Sequence, residues 1–156
     1  MAAQLPRDKQ GETFQNGMTH EDIAGVVGTH RTIGAVIQIA SNMWEPGMTT
    51  RQNDTDESWF AIGALELEQQ PRVHAVADLL RHSGTVEVVD DIRSAKWMKL
   101  VVNAAELIPS AIINTALNEV ARDPAFLKVM RKAGYEAMEA ALASWVDLQA
   151  EDLVTR

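Results

Sequence analysis

The hydrophobic rhythm of the chain changes once, near residue 90. Before that point several short stretches show a period of two. Residues 32–40, TIGAVIQIA, interleave Ile33, Ala35, Ile37 and Ile39 with Thr32, Gly34, Val36 and Gln38. That alternation, rich in β-branched residues, predicts a strand. Residues 59–63 and 85–89 also read as strands, and residues 13–15 as a short one. Asn16-Gly17 is a tight-turn signal, because both residues tolerate positive φ. Thr19 predicts an N-cap, with Asp22 three residues on, for a helix over residues 20–27 that Gly28 closes. Glu45-Pro46-Gly47 predicts a turn that brings residues 48–51 back as the antiparallel partner of the 32–40 strand. Residues 52–58 read as a polar loop. Val73, Val76, Ala77 and Leu80 line one side of a helix over residues 71–82, stopped near Gly84.

After residue 90 no strand signal remains. Residues 90–108, DDIRSAKWMKLVVNAAELI, form a helix that is apolar on almost every side. Asp90 and Asp91 complement its N-terminal dipole. Pro109 predicts an interruption, and Ser110 the cap of a new helix carrying Ile112, Ile113, Ala116, Leu117 and Val120. Asp123-Pro124 opens a last helix that runs to about Trp145, with Phe126, Leu127, Met130, Gly134, Ala137, Met138 and Ala141 on one side. The pattern predicts an α+β chain with a domain boundary at about residue 90, mixed over residues 1–89 and all-helical over 90–156.

The interior polar residues of the 90–108 helix are Lys96, Lys99, Asn103 and Glu106. Their spacing of three, four and three places them in one narrow stripe. Lys99 and Asn103, one turn apart, face the same space. That space is either bulk water or a cleft that uses an ammonium and a carboxamide together. From spacing alone a solvated stripe is the plainer reading, since K-x-x-x-N is short. The apolar remainder of the helix argues for the cleft. There an ammonium could supply charge and a proton to a carbonyl oxygen being reduced.

Composition narrows the partners. Of 156 residues, 46% are apolar and 23% charged, an ordinary globular balance, and there is no cysteine for disulfides or thiolate metal sites. The net charge of −8 argues against a nucleic-acid partner, but leaves room for a small anion that needs one local cation. No apolar run approaches the roughly 18 residues of a membrane span. No signal-peptide pattern is seen either, so a cytoplasmic location is the default. His20, His30, His74 and His82 lack metal-ligand spacing and read as surface residues, and no metal is expected. No G-x-S-x-G elbow and no G-x-G-x-x-G loop occurs. The tryptophans at 44, 59, 97 and 145 read as core or interface anchors. Asn16-Gly17 is a bare turn from its spacing, or else a strand-end loop whose asparagine touches a ligand.

Three motifs occur in order: FQNGM at residues 14–18, RTIGA at 31–35 and KWMKLVVN at 96–103. Together they resemble the ketopantoate reductase (2-dehydropantoate 2-reductase) family from about Gln15 to about Ala143. The resemblance implies an N-terminal Rossmann domain and a C-terminal helical domain, and the reduction of a 2-oxo acid by NADPH in pantothenate biosynthesis. It also implies that Lys99 is the catalytic lysine donating a proton to the substrate carbonyl, and that Asn103 binds substrate. Asn16, with Gly17, would lie near the nicotinamide and substrate. Lys99 and Asn103 are then expected to face a cleft opposite the Asn16 loop.

The chain departs from the family in three ways. Nothing before Asn16 supplies the dinucleotide fingerprint. Leu107 and Ile108 stand at the positions of the family's asparagine-proline pair, with Pro109 one later. The family's later serine and acidic residue are not reached. The expectation is a member truncated at both ends: the late part of a Rossmann-type NADP-binding domain, followed by part of a helical domain. It would be inactive or incomplete alone. Two alternatives stand beside it. One is another β-hydroxyacid dehydrogenase-type oxidoreductase. The other is a non-catalytic helical module in which the C-terminal helices pair two copies as a homodimer.

Overall fold

The computed structural model describes residues 11–144, and the expectation for Trp145 lies outside them. The chain divides into two compact units, Met1–Ile92 and Arg93–Arg156. The class is α+β, as the hydrophobic pattern implies.

In the first unit β1 (Gly11–Thr13) leads to α1 (Thr19–Val27) and β2 (Thr32–Gln38). A separate ribbon of β3 (Ser41–Glu45) and β4 (Met48–Arg51) follows, then β5 (Trp59–Ala64), α2 (Gln70–Leu80) and β6 (Thr85–Val88). The main sheet has the order β1-β2-β5-β6. Strands β1 and β2 are parallel, as are β5 and β6, while β2 and β5 are antiparallel.

One face of this sheet carries the core, formed by Ile33, Ala35 and Ile62 with Val73 and Ala77 of α2. On the other face Gly34 and Gly63 stand opposite each other across β2 and β5. Both meet Ile92, which is buried. A Cβ on Gly34 would lie 2.7 Å from Ile92 Cγ1, and one on Gly63 would lie 2.8 Å from the Val89 carbonyl. Only glycine leaves room for the isoleucine there.

Several expectations are corrected in this unit. The first strand lies two residues earlier than residues 13–15, because the chain leaves the sheet at Thr13 and Phe14 turns onto Phe60, edge to face at 6.4 Å. Thr19 is the first helical residue rather than the N-cap. Its hydroxyl faces back to Gln15 Oε1 at 3.4 Å, and Met18 stands at the cap without a side-chain bond. Residues 48–51 do not pair with β2. They pair with residues 41–45 in a two-stranded ribbon of their own. The switch occurs at Ala40, whose N–H donates to Asn53 Oδ1 at 3.0 Å and whose carbonyl accepts from Gln52 N–H at 2.8 Å. Gly28 closes α1 at φ 96°, as its position implies.

The second unit contains α3 (Ile92–Ile112, its first residue belonging to the first unit), α4 (Leu117–Val120) and α5 (Pro124–Ala143). The predicted break at Pro109 does not occur, and Ser110 caps no new helix. Proline removes one backbone hydrogen bond and usually costs about 3 kcal/mol in a helix interior, but Pro109 is buried and packing holds the helix through it. The helix ends at Ile112; two residues on, Asn114 takes φ 51°, with Thr115 N–H returning to the Ser110 carbonyl at 3.2 Å. Ile112 and Ile113 therefore do not form a stripe with Val120; both are exposed and only Val120 is buried. Asp123 caps α5 through a 2.8 Å bond from Ala125 N–H, as predicted. Helices α3 and α5 approach closely where Gly134 meets Ala105; a Cβ on Gly134 would sit 3.2 Å from Ala105 Cβ.

Candidate functional site

The polar stripe of α3 is not a solvated face. Lys96 is 2% exposed, and Lys99, Asn103 and Glu106 are half-buried. Taking an ammonium out of water disfavours its charged form. Burial accordingly lowers the pKa of both lysines below the ordinary lysine value. At Lys99 the burial is opposed by Glu106, seven residues or about two turns further on, whose charge raises the pKa. Asn103 lies one turn beyond Lys99, and its Oδ1 is shut off from solvent. A half-desolvated ammonium is a better proton donor than a free one, because its neutral form costs less. A carboxamide beside it can hold a carbonyl or carboxylate of a ligand.

Asn16 and Gly17 occupy the turn between the carboxyl end of β1 and the start of α1, in the first unit. Gly17 needs its φ of 83°, and open space surrounds the place of its absent Cβ. Asn16 is exposed. The structure thus brings Lys99 and Asn103 together on one side of α3, and Asn16 and Gly17 together in one turn. The two pairs belong to different units.

Two residues were missed by sequence reasoning. Lys96 is the more deeply buried lysine, although its spacing assigns it no role beyond the stripe. His20 is not a surface residue: it is fully buried in the first turn of α1. The signal was there, because His20 and Ala24 are four apart and share the buried side of that helix. Among the tryptophans, Trp59 is buried as expected of a core anchor, whereas Trp44 is 80% exposed on the ribbon. Among the described residues no group of three or more His, Asp and Glu is placed to hold a metal ion. No helix among them is long and apolar enough to cross a membrane. No G-x-G-x-x-G segment occurs among the described residues.

No family model matches the chain. A curated 2-dehydropantoate 2-reductase of Archaeoglobus fulgidus is 28% identical over 128 residues, which are 81% of this chain and 42% of that protein. The crystal structure of 2-dehydropantoate 2-reductase from Geobacter metallireducens superposes with a TM-score of 0.78 at 26% identity. It covers 88% of this chain and 45% of that one. This chain is similar to the ketopantoate reductases. A D-mandelate dehydrogenase, solved with NADH and anilino(oxo)acetate, shares the fold at a TM-score of 0.82 and 18% identity, over 93% of this chain and 47% of that one. The chain spans about half the length of the ketopantoate reductases it matches.

Proposed function

We propose that the chain carries the proton-donating half of a ketopantoate reductase-like site, acting on a 2-oxo acid. The observation that carries this reading is Lys99: a half-buried ammonium with a lowered pKa, one turn from a half-buried asparagine. It sits at the spacing of the K-x-x-x-N motif through which the chain resembles its relatives. Lys99 would donate a proton to the substrate oxygen and offset the negative charge that develops on it. Asn103 would orient the substrate, and Asn16, with Gly17, would border the nicotinamide and substrate. The hydride itself would come from NADPH in the family reaction. Since no G-x-G-x-x-G segment occurs among the described residues, the 156-residue chain is expected to bind NADPH weakly or not at all, and tight binding by calorimetry would contradict this. The C-terminal helices are offered as the place where two copies join.

Activity is to be tested in a form of the chain that carries a complete dinucleotide domain. There Lys99→Ala is expected to lower kcat by about 100-fold to 10,000-fold, the usual yield of general acid catalysis. Unchanged turnover would overturn the reading and favour a helical association module. A second reading, a β-hydroxyacid dehydrogenase for a different acid, is supported by the fold shared with D-mandelate dehydrogenase. Relative kcat/KM over a panel of 2-oxo acids separates the two.

A further inference from the structure

The outward side of α5 is divided between charge and apolar surface. Pro124, Lys128, Arg131, Tyr135, Met138 and Leu142 are spaced four, three, four, three and four, so they share one row along the helix. The row lies about a third of a turn from the buried Met130 and Ala141. Its first half is cationic, and Lys132 widens it. Its second half is apolar: Tyr135 is 62% exposed and Leu142 58%, with Met138 half-buried between them. Around the cationic half opens a groove of about 620 Å³, lined by Lys128, Arg131 and Lys132 with Pro124, Leu127 and Tyr135.

Three observations say what this surface takes. The chain as a whole stands at −8, yet none of the residues lining the groove is acidic, and three cations fall within residues 128–132. Those cations are uncommitted. Arg51, Arg72 and Arg81 of the first unit each donate to an acceptor within the fold. Lys128 and Arg131 have no side-chain hydrogen bond or ion pair among the described residues. Lys132 reaches Glu136 only at 3.8 Å with both side chains exposed, a pairing that is worth little in water. Next, the row from Pro124 to Leu142 is about 27 Å long, which suits a segment of polypeptide rather than a compact anion. Finally, a bare polyanion would cover the cations and leave Tyr135 and Leu142 wet, whereas a helix with an acidic half and an apolar half covers both. We infer that the outward row of α5 docks an acidic amphipathic helix of a partner protein. Its carboxylates meet Lys128, Arg131 and Lys132, and its apolar residues meet Tyr135, Met138 and Leu142. The inference makes no use of Lys99.

Tyr135 is the single tyrosine of the chain, so 3-fluorotyrosine labelling places one fluorine resonance at the middle of the row. The probes are two helical peptides of about 20 residues, long enough to span the row. One half of their helical face carries glutamates and the other leucines, in either order, and a second pair has lysine in place of glutamate. One acidic order should shift the resonance and saturate, and its lysine counterpart should bind at least ~10-fold more weakly, because like charges then meet. Lys128→Glu combined with Arg131→Glu should reverse that preference with an unchanged circular dichroism spectrum, since both residues are exposed. Leu142→Glu should weaken the acidic peptide. Equal binding of the glutamate and lysine peptides, or no shift with either acidic order, overturns the inference. So does inorganic tripolyphosphate acting at the same concentration as the acidic peptide, which marks a plain anion site. A resonance that moves with protein concentration alone also overturns it, by giving the row to a second copy. If the double variant unfolds, the comparison of glutamate and lysine peptides on the unsubstituted chain decides alone. None of these readouts involves turnover, so they stand or fall apart from the Lys99→Ala result.

Discussion

The two units differ in how far they finish burying what their sequences make apolar. In the first, β2 from Thr32 to Val36 and β5 from Trp59 to Gly63 are buried on both faces, and α2 closes one side through Val73 and Ala77. In the second, α3 is largely apolar, yet Leu107, Ile108 and Ile112 face solvent. Its buried apolar side chains among the described residues include Met98, Val120, Met130 and Ala141, two of them flexible methionines. An amphipathic sheet face completed by a helix is a folding unit.

The largest effects should therefore come from the first unit. Ile62→Ala, at a fully buried position, is expected to cost about 3 kcal/mol in urea denaturation. Gly63→Ala, which forces a methyl against the Val89 carbonyl and Ile92, should cost about 2 kcal/mol by the same measurement. In the second unit Asp123→Ala removes the cap bond to Ala125 N–H and should cost about 1 kcal/mol. Ile112→Ala should change the stability of a single copy by less than about 0.5 kcal/mol, because its side chain already faces water. A large loss at Ile112 in the monomer would break the comparison.

The pH response adds one more contrast. Lys96 and Lys99 have lowered pKa values in the fold, so the unfolded chain holds more protons in the window between those values and the ordinary lysine value. Across that window stability should rise with pH, and below it the burial penalty is fully present. The slope seen in urea midpoints should shrink in the Lys99→Met variant. On the role proposed for Lys99, turnover should fall as pH rises through its lowered pKa, since only the protonated lysine can donate a proton.

Much of the fold was legible because long signals agree with their surroundings. The strand at Thr32, the helix over Val73 and Ala77, and the Asp123-Pro124 cap each combine pattern with local chemistry. The errors arose where a local rule was outweighed. Pro109 carries the strongest helix-breaking signal in that stretch, yet the helix runs on to Ile112, and the chain turns at Asn114 through a left-handed φ. The alternation in residues 32–40 could not set a partner, since both faces of β2 are buried and either neighbour satisfies them. The ribbon strand Ser41–Glu45 has little apolar content to announce it, being mostly exposed. At the candidate site, the stripe of α3 was legible from spacing alone. Its desolvation was not, because burial depends on packing that a single helix sequence does not contain.

The facing glycines Gly34 and Gly63 reach further than the residue they seat. The recess they leave exists only when β2 and β5 are aligned as Gly34↔Gly63. A slip of one position would set Ile62 or Ala64 in the recess, turn side chains to the opposite face and leave Ile92 nowhere to lodge. Ile92 thus acts as a register gauge for strands far from it in the chain. Misaligned pairings of β2 and β5 would be rejected by a single isoleucine.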